Sequence, residues 1–450
     1  MRKLYLPALL ALLYTGVALA VVPVPAPDQA QPIALTNATI HVGNGEVISD
    51  GVITFDEGVI TAVGTSSDNI NLSGHLVVDV EGQHIYPGLV LPNTYLGLRE
   101  VGNVRSTQDV VEEGDINASV RSAIAYNTDS EYIPTHRFNG ILTAQITPEG
   151  GLVSGSSSIM KLDGWNWEDT MLRADDGMHL HWPSYTRRRR NQETNEFETV
   201  ENEDYAPQTQ LLHELFQNAV AYTGPRLNQN ATSRNRQSNS TAAPLNLNLA
   251  ALQPALDGAA TLFIHANEAR QIISAVRFAR TYGIANIVLV GGRDALLVKD
   301  FLLDENIPVI YEAIHALPSQ VWRDVDESFR MPFLLHEAGL TVGIGGGAVS
   351  LDSQRNLPFF AGTAAAYGLD RETALSMITR NNAEILGVSD RVGTLETGKD
   401  ATLFISIGDV LDMRTSQVEG AFIQGRNIDL YGTQQELYER FRDKYNSQIE

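Results

Sequence analysis

The 450-residue chain contains no cysteine, so no disulfide bridge stabilises its fold. A lipid anchor attached through a cysteine at a cleavage site is excluded for the same reason. Stability has to come from burial of apolar side chains, and a chain of this length can bury a large core, or more than one.

Basic residues are also scarce. The sequence has 32 Lys and Arg against 54 Asp and Glu, and its formal net charge is −22. Binding to a nucleic-acid backbone requires a basic surface, so this balance argues against a nucleic-acid partner. A large negative charge favours solubility but does not identify a ligand.

Long apolar runs are absent after the first twenty residues. Two basic residues at positions 2 and 3 precede an apolar run over residues 4–19, and Ala18 and Ala20 have the small-x-small spacing of a cleavage site. This pattern predicts a signal peptide over residues 1–20 and a secreted or periplasmic protein. No later stretch approaches the roughly 18 apolar residues that a membrane span needs, so none is expected.

The two ends of the mature chain have strand patterns. After a Pro-rich spacer over residues 21–32, residues 33–86 are rich in Val, Ile and Thr between Gly-containing turns, and residues 400–432 repeat the pattern. We therefore expect one composite β-sandwich built from both ends. Residues 433–450 predict a charged C-terminal helix.

Residues 87–399 have a different pattern, in which apolar strands alternate with amphipathic helices. The clearest unit has a strand over residues 261–265 and a helix over residues 268–282. Repeated units of this kind predict an α/β protein with a (β/α)8 TIM-like barrel. Polar insertions at about 186–205 and 225–248 interrupt the pattern. The first contains four consecutive arginines at 187–190, which form either a solvated face or a lid or partner contact.

The boundaries of the barrel carry a family resemblance. Residues 83–95 include Pro87-Gly88-Leu89-Val90-Leu91-Pro92-Asn93-Thr94-Tyr95, and residues 381–388 and 391–401 form a closing motif, Asn-Asn-Ala-Glu-Ile-Leu-Gly-Val and Arg-Val-Gly-Thr-Leu-Glu-Thr-Gly-Lys-Asp-Ala. Both segments resemble the amidohydrolase superfamily, especially its imidazolonepropionase-like, secreted members. The resemblance covers nearly the whole mature chain.

The resemblance implies a divalent metal that activates water for carbon–nitrogen bond hydrolysis, yet most of its ligands are missing. The family has His-x-His at the end of strand one, where this chain has Asn93 and Tyr95 at positions that share one strand face. His265 matches the ligand of strand five. The histidine of strand six and the aspartate of strand eight are replaced by residues 290–293, Val-Gly-Gly-Arg, and residues 344–347, Ile-Gly-Gly-Gly. Asp352 lies several residues too late.

We therefore expect no metal cofactor, and a divalent ion such as zinc if there is one. A second His-x-His occurs at His179 and His181, well past the first barrel strand, and a metal site there is the less favoured interpretation. The catalytic candidates are His265, Glu268, Glu312 and His315. The candidate binding-pocket residues are Asn93, Tyr95, Gln145, Asn267, Arg293 and Asp294.

Two further features have alternative interpretations. The glycines at 291, 292 and 345–347 either present N–H groups to an anion or make tight turns, and tight turns are favoured. Trp165 and Trp167 either form a stacking wall for a ligand or belong to local core.

Two functions remain open. One is a catalytically impaired amidohydrolase-like protein, a pseudoenzyme that binds an amide-type small molecule, forms a homo-oligomer or pairs with an active amidohydrolase. The other is an active amidohydrolase on a cyclic or linear amide or dipeptide-like substrate, with a rebuilt site around His265.

Overall fold

A computed structural model describes residues 24–191, 195–224, 245–318, 322–347 and 349–446. The expected signal peptide and most of the second polar insertion lie outside these residues. The strands are β1 Ile33–His41, β2 Val47–Asp56, β3 Val59–Thr65, β4 Leu76–Asp79, β5 His84–Pro87, β6 Leu89–Thr94, β7 Ile141–Ile146, β8 Val153–Lys161, β9 Met171–His181, β10 Thr186–Arg190, β11 Phe197–Glu201, β12 Thr261–Ala266, β13 Ile287–Gly291, β14 Val309–Tyr311, β15 Val342–Ile344, β16 Leu403–Ser406, β17 Val418–Ile423 and β18 Arg426–Ile428.

The helices connect and flank these strands. They are α1 Ser122–Ala125, α2 Tyr132–Arg137, α3 Trp167–Thr170, α4 Tyr205–Val220, α5 Leu247–Ala251, α6 Gln253–Leu256, α7 Ala269–Thr281, α8 Lys299–Asp304, α9 Glu327–Glu337, α10 Leu351–Gln354, α11 Leu357–Ala366, α12 Arg371–Ile378, α13 Arg380–Ile385 and α14 Thr433–Asn446. Short 3-10 turns cover Arg105–Thr107 and Ala295–Val298.

The two ends of the chain build one sheet, as the sequence predicts. Its strand order is β18-β17-β16-β5-β1-β2-β3, and β4 pairs with β1. The seam between the two ends is the antiparallel pair β5 and β16, in which Ile85 faces Ile405. The strands are hydrogen-bonded into a single eight-stranded sheet rather than two separate ones. Its core includes Leu35, Ile53 and Phe55, which are fully buried.

The second large sheet is the barrel, ordered β6-β7-β8-β9-β12-β13-β14-β15. It is parallel except for β8, which is antiparallel to both β7 and β9. The expected (β/α)8 alternation is therefore interrupted at this strand. The links at residues 147–152 and 162–170 are too short for the helical crossover that a parallel neighbour needs.

A side chain completes the barrel between its first and last strands. The Asn382 Nδ2 group, on α13, donates to the Val90 carbonyl of β6 at 2.8 Å and to the Ile344 carbonyl of β15 at 2.9 Å. Gly343 of β15 makes room for this amide, because a Cβ there would lie 2.1 Å from Asn382 Oδ1. One fully buried amide thus connects two strands that no ladder joins in the described part of the chain.

Other predicted elements differ in detail. The strand pattern of residues 400–432 includes a hairpin, β17 and β18, whose turn places Gln424 and Gly425 at φ +48° and +72°. The arginine run forms β10 of an exposed hairpin with β11, in which Arg189 pairs with Glu198 at 2.9 Å. No helix in the described ranges has the length and apolarity that a membrane crossing requires.

Candidate functional site

The carboxyl ends of parallel barrel strands are where active sites of this architecture lie. Two groups of buried polar side chains lie in the barrel interior. We call Asn93, Gln145, Ser157, Asp176 and Glu312 the carboxyl network, and His179, His181 and His265 the histidine cluster.

Glu312, directly after β14, forms one end of the carboxyl network. Its Oε1 accepts hydrogen bonds from Asn93 Nδ2 at 2.7 Å and from the Gly347 backbone N–H at 3.1 Å. Burial raises the pKa of Glu312 to about 7, although both hydrogen bonds oppose the shift. A carboxyl group with this pKa is protonated in part of the molecules at neutral pH.

Asp176 of β9 forms the other end. It accepts from Gln145 Nε2 at 2.7 Å and from Ser157 Oγ at 2.8 Å. Burial raises the pKa of Asp176 to about 6 against these hydrogen bonds. Gln145 Oε1 accepts from the Asn93 backbone N–H at 3.1 Å, so a continuous chain of hydrogen bonds links the two carboxyl groups.

Asn93 and Tyr95 do not share a face, which corrects the expectation from their spacing. Asn93 has a left-handed backbone, φ +50°, and the register with β7 is irregular between Leu91 and Thr94. Whereas the Asn93 amide binds Glu312, the Tyr95 hydroxyl accepts from the Leu351 backbone N–H at 3.2 Å. The strict alternation of a strand fails at this bulge.

Parallel pairing of β9 with β12 brings the histidine cluster together, with His181 level with His265 and His179 level with Phe263. His179 Nδ1 and His265 Nε2 are hydrogen-bonded at 2.9 Å. The His181 ring stacks on the His265 ring with 4.0 Å between centroids. His179 and His181 therefore lie on β9, outside the first barrel strand as expected. This strand is the direct neighbour of β12, which carries His265.

Burial keeps the cluster neutral. It lowers the pKa of His181 to about 4 and lowers the pKa values of His179 and His265 well below the ordinary range. Nε2 of His179 and Nε2 of His181 are buried, and neither has a hydrogen-bond partner in the part of the chain that the structure describes. Such atoms are suited to accept or donate a hydrogen bond to a ligand.

The described residues do not form a metal ligand set. Among them, no three His, Asp or Glu side chains are arranged to hold an ion. His179 and His265 direct ring nitrogens at each other, and Asp352, on α10, is exposed. A Cβ at position 347 would lie 2.5 Å from both Asn93 Nδ2 and Glu312 Oε1, so the hydrogen bond between them leaves no room for a side chain there.

Four other candidates build the turn that starts α7. Glu268 caps this helix in a capping box with Gln271, and Asp294 accepts from the Ala269 N–H at 2.9 Å. Asn267 is exposed, and its Oδ1 accepts from the Arg293 N–H at 3.4 Å. These contacts give the side chains of Asn267, Glu268 and Asp294 a local structural role, whereas Arg293 contributes its backbone N–H.

His315 lies apart from the cluster. Its ring is exposed, Nε2 bonds to Thr363 Oγ1 at 2.8 Å, and Phe360 packs against it edge-on. Within the described residues, neither Glu268 nor His315 hydrogen-bonds to His265. The structure therefore groups Asn93, Gln145 and Glu312, and leaves the remaining candidates at separate positions.

The glycines and tryptophans also have defined positions. Gly291 and Gly292 form a tight turn at φ +95° and +65°, while the Gly347 N–H serves the chain's own Glu312. Trp167 packs against the core, and Trp165 is 68% exposed. Ser157 and Asp176 were missed by the sequence reasoning. The only signal was Asp175-Asp176-Gly177 two residues before His179, and it required strand register to interpret.

Comparisons with known proteins agree with this architecture. A model of the amidohydrolase family matches residues 276–428. No curated protein matches the sequence. Among solved structures, an amidohydrolase from Thermotoga maritima MSB8 has a TM-score of 0.73 and 21% identity, with 88% of this chain and 99% of that chain covered.

Two further solved structures share the fold at lower similarity. A prolidase complexed with N-methylphosphonate-L-proline has a TM-score of 0.53 and 14% identity, with 88% of this chain and 99% of that one covered. Molinate hydrolase has a TM-score of 0.52 and 14% identity, with 90% and 96% covered. The chain is thus similar to the amidohydrolase family over residues 276–428, and it shares its fold with solved amidohydrolase structures.

Proposed function

We propose that this protein has lost the metal-dependent hydrolysis of its superfamily and binds a small amide-type molecule, alone or as the inactive partner of an active amidohydrolase. One observation carries the proposal. The Asn93–Glu312 hydrogen bond, closed over by Gly347, joins the ends of β6, β14 and β15. Asn93 and Gly347, which follow the strands where the family has metal ligands, are hydrogen-bonded to Glu312 instead.

The histidine cluster supports a binding role. Its members are neutral at physiological pH because of burial, and two of their nitrogens have no hydrogen-bond partner among the described residues. Neutral imidazole can donate or accept, depending on its tautomer, which suits the N–H and carbonyl groups of an amide.

A hydrolysis assay tests the loss of activity. The mature protein is incubated with N-acyl amino acids, Xaa-Pro dipeptides and cyclic amides, with and without added zinc or manganese, beside a His265→Ala control. We expect no turnover above the control. Metal-stimulated turnover that disappears in His265→Ala would overturn the proposal.

The second candidate is a hydrolase that uses no metal. It is favoured by one observation, the pKa of Glu312 near 7, which suits a group that transfers protons at neutral pH. If turnover occurs without metal and is lost in both Glu312→Gln and His265→Ala, this candidate replaces the first.

The proposed pairing with an active amidohydrolase is tested separately. Affinity purification of the tagged protein from its natural host should recover an amidohydrolase-like chain with an intact His-x-His motif in stoichiometric amount. A monodisperse, metal-free monomer recovered alone would contradict pairing and leave ligand binding as the remaining role.

We also propose secretion, supported by the leader-like pattern of residues 1–20. N-terminal sequencing of protein from the periplasm or medium should begin near Val21. Recovery of an uncleaved chain in the cytoplasm would contradict it.

A further inference from the structure

A large open cavity lies at the opposite end of the barrel from the histidine cluster. It has a volume of about 900 Å3 and opens between the barrel and the two-ended sheet. Lys161, the last residue of the antiparallel strand β8, lies level with Thr143 near the start of β7, which fixes this end. We call this space the distal cavity and define it by Lys161, Trp165, Arg391, Gln424 and Arg426.

Three cations line the distal cavity of a strongly acidic protein. Arg391 pairs with Asp400 at 2.7 Å, and Arg426 pairs with the fully buried Asp163 at 3.1 Å. Asp163 is shared with a second arginine, Arg137, at 3.0 Å. Each of these carboxylates is therefore already engaged.

Lys161 is the cation that lacks a carboxylate. Its Nζ donates to Gln424 Oε1 at 2.6 Å, a neutral amide, and no ion pair forms with it within the described residues. Burial lowers the pKa of Lys161, and the neighbouring Arg426 and Arg391 add to that effect, while Asp400 and Asp169 oppose it. An anion bound here would relieve the repulsion among the three cations.

Gln424 is held in place at a cost in backbone conformation. It has φ +48°, which is unfavourable for a residue with a side chain. Its amide bridges Lys161 and Asp400, donating to Asp400 Oδ2 at 3.1 Å. The Gln424 amide thus holds the Lys161 ammonium group at the cavity that both residues line.

Trp165 adds an apolar surface to the opening. It is 68% exposed and lines the cavity together with residues 25–27. An exposed tryptophan in the cavity that contains the Lys161 ammonium suits a ring that carries an acidic group.

We propose that the distal cavity binds a small organic anion with a ring and a carboxylate or phosphate group, held by Lys161, Arg391 and Arg426 and stacked on Trp165. This site is separate from the proposed function, because it lies at the other end of the barrel. Asp28, Glu57 and Asp169 also line the cavity and are exposed, so their screened charges oppose anion binding less than the part-buried cations favour it.

Calorimetric titration of the full mature protein tests the site. Benzoate and phenyl phosphate are the probes, and benzyl alcohol is the neutral control. We expect one of the two anions to bind and the alcohol not to bind; the anion that binds identifies the acidic group. Absence of binding by both anions, or equal binding of the alcohol, would overturn the proposal.

Variants locate the binding. Lys161→Met should weaken it at least about tenfold and Trp165→Ala about threefold or more, while Lys299→Met and Trp322→Ala, exposed residues elsewhere, should leave it unchanged. Because Trp165 is exposed, its variant keeps the fold even if Lys161→Met does not. Unchanged affinity in Trp165→Ala would contradict the proposal.

Proton uptake distinguishes binding from a merely structural role of Lys161. Anion binding should raise the pKa of Lys161, so titrations at pH 9 in buffers of different ionisation enthalpy should show protons taken up. Uptake should disappear both in Lys161→Met and in Lys161→Arg, because the guanidinium is already fully protonated at pH 9, while Lys161→Arg keeps the positive charge that binding needs. Binding to the wild-type protein without any uptake contradicts the proposal.

Discussion

The side-chain amide of Asn93 donates a 2.7 Å hydrogen bond to the carboxyl group of Glu312, across the ends of two barrel strands. Because Glu312 is 91% removed from solvent, the bond stabilises a group that would otherwise be costly to bury. The same bond engages Asn93, the residue that our proposal places at a lost metal site. If the proposal is correct, one contact both stabilises the buried Glu312 and occupies that position.

Replacing the buried carboxyl group of Glu312 should stabilise the protein at high pH. Its pKa in the folded protein, about 7, exceeds the ordinary value of 4.5, so the folded state binds the proton more tightly than the unfolded chain. The contribution of Glu312 to the free energy of unfolding is therefore fully present below pH 4.5 and is lost as the pH rises through 7. Glu312→Gln keeps the Oε1 acceptor without the titration, and at pH 8 we expect a gain of about 3 kcal/mol.

Denaturant unfolding at pH 4.5 and pH 8 measures this effect. The gain should be absent at pH 4.5, and Glu46→Gln, which changes an exposed carboxylate, should give no gain at either pH. A loss of stability at pH 8 would show that the ionised carboxylate is preferred in the fold.

The histidine cluster should make the protein sensitive to acid. The pKa of His181 is lowered from 6.5 to about 4 by burial, so the unfolded chain takes up the proton first as pH falls. Stability from neutral His181 is thus present above pH 6.5 and lost as pH falls to 4, by about 3 kcal/mol. His181→Gln should flatten the unfolding free energy over this interval. His336→Gln, at an exposed site, is the control, and an unchanged slope in His181→Gln would contradict the burial.

The amide of Asn382 should be a major contributor to barrel stability. Asn382→Ala removes both hydrogen bonds to Val90 and Ile344 and leaves two buried carbonyls unpaired, for an expected loss of about 2–4 kcal/mol. Asn382→Asp should be worse, because it places an acceptor against two acceptors.

Asn381→Ala is the matched control. It removes one part-buried hydrogen bond, to the Val342 carbonyl, and should cost about 1 kcal/mol. Equal losses in Asn381→Ala and Asn382→Ala would indicate that the strands are held together by packing alone.

Introducing the His-x-His motif of amidohydrolases into the first barrel strand should not create a metal site. In Asn93→His/Tyr95→His the two rings would not converge, because residue 93 has φ +50° and the two side chains contact different partners. We expect no tight zinc binding in equilibrium dialysis. Stoichiometric zinc in this double variant would show that the strand end rearranges freely.

The sequence predicted the architecture better than the site. The unit that contains β12 and α7 was predicted within a few residues, because buried Ile272, Val276 and Ala279 recur at helical spacing. The antiparallel direction of β8 was not predicted, since the length of its links becomes informative only once the strand ends are known.

The site depends on register and on one irregular residue. His179 and His181 were visible as a pair on one strand, but their contact with His265 follows from the pairing of β9 with β12, which periodicity does not specify. The bulge at Asn93 overturned the predicted shared face of Asn93 and Tyr95. Sequence spacing assumes regular backbone, and a positive φ at a polar residue breaks that assumption.

Metal content is the most direct test of the central claim that the barrel no longer holds a catalytic ion. The wild-type protein and the His265→Ala variant are purified without chelators from cells supplied with zinc, manganese and iron. The metal content of both is measured by inductively coupled plasma mass spectrometry. We predict less than about 0.1 equivalent of any of these metals in both proteins. One equivalent in the wild type that disappears in His265→Ala would contradict the account.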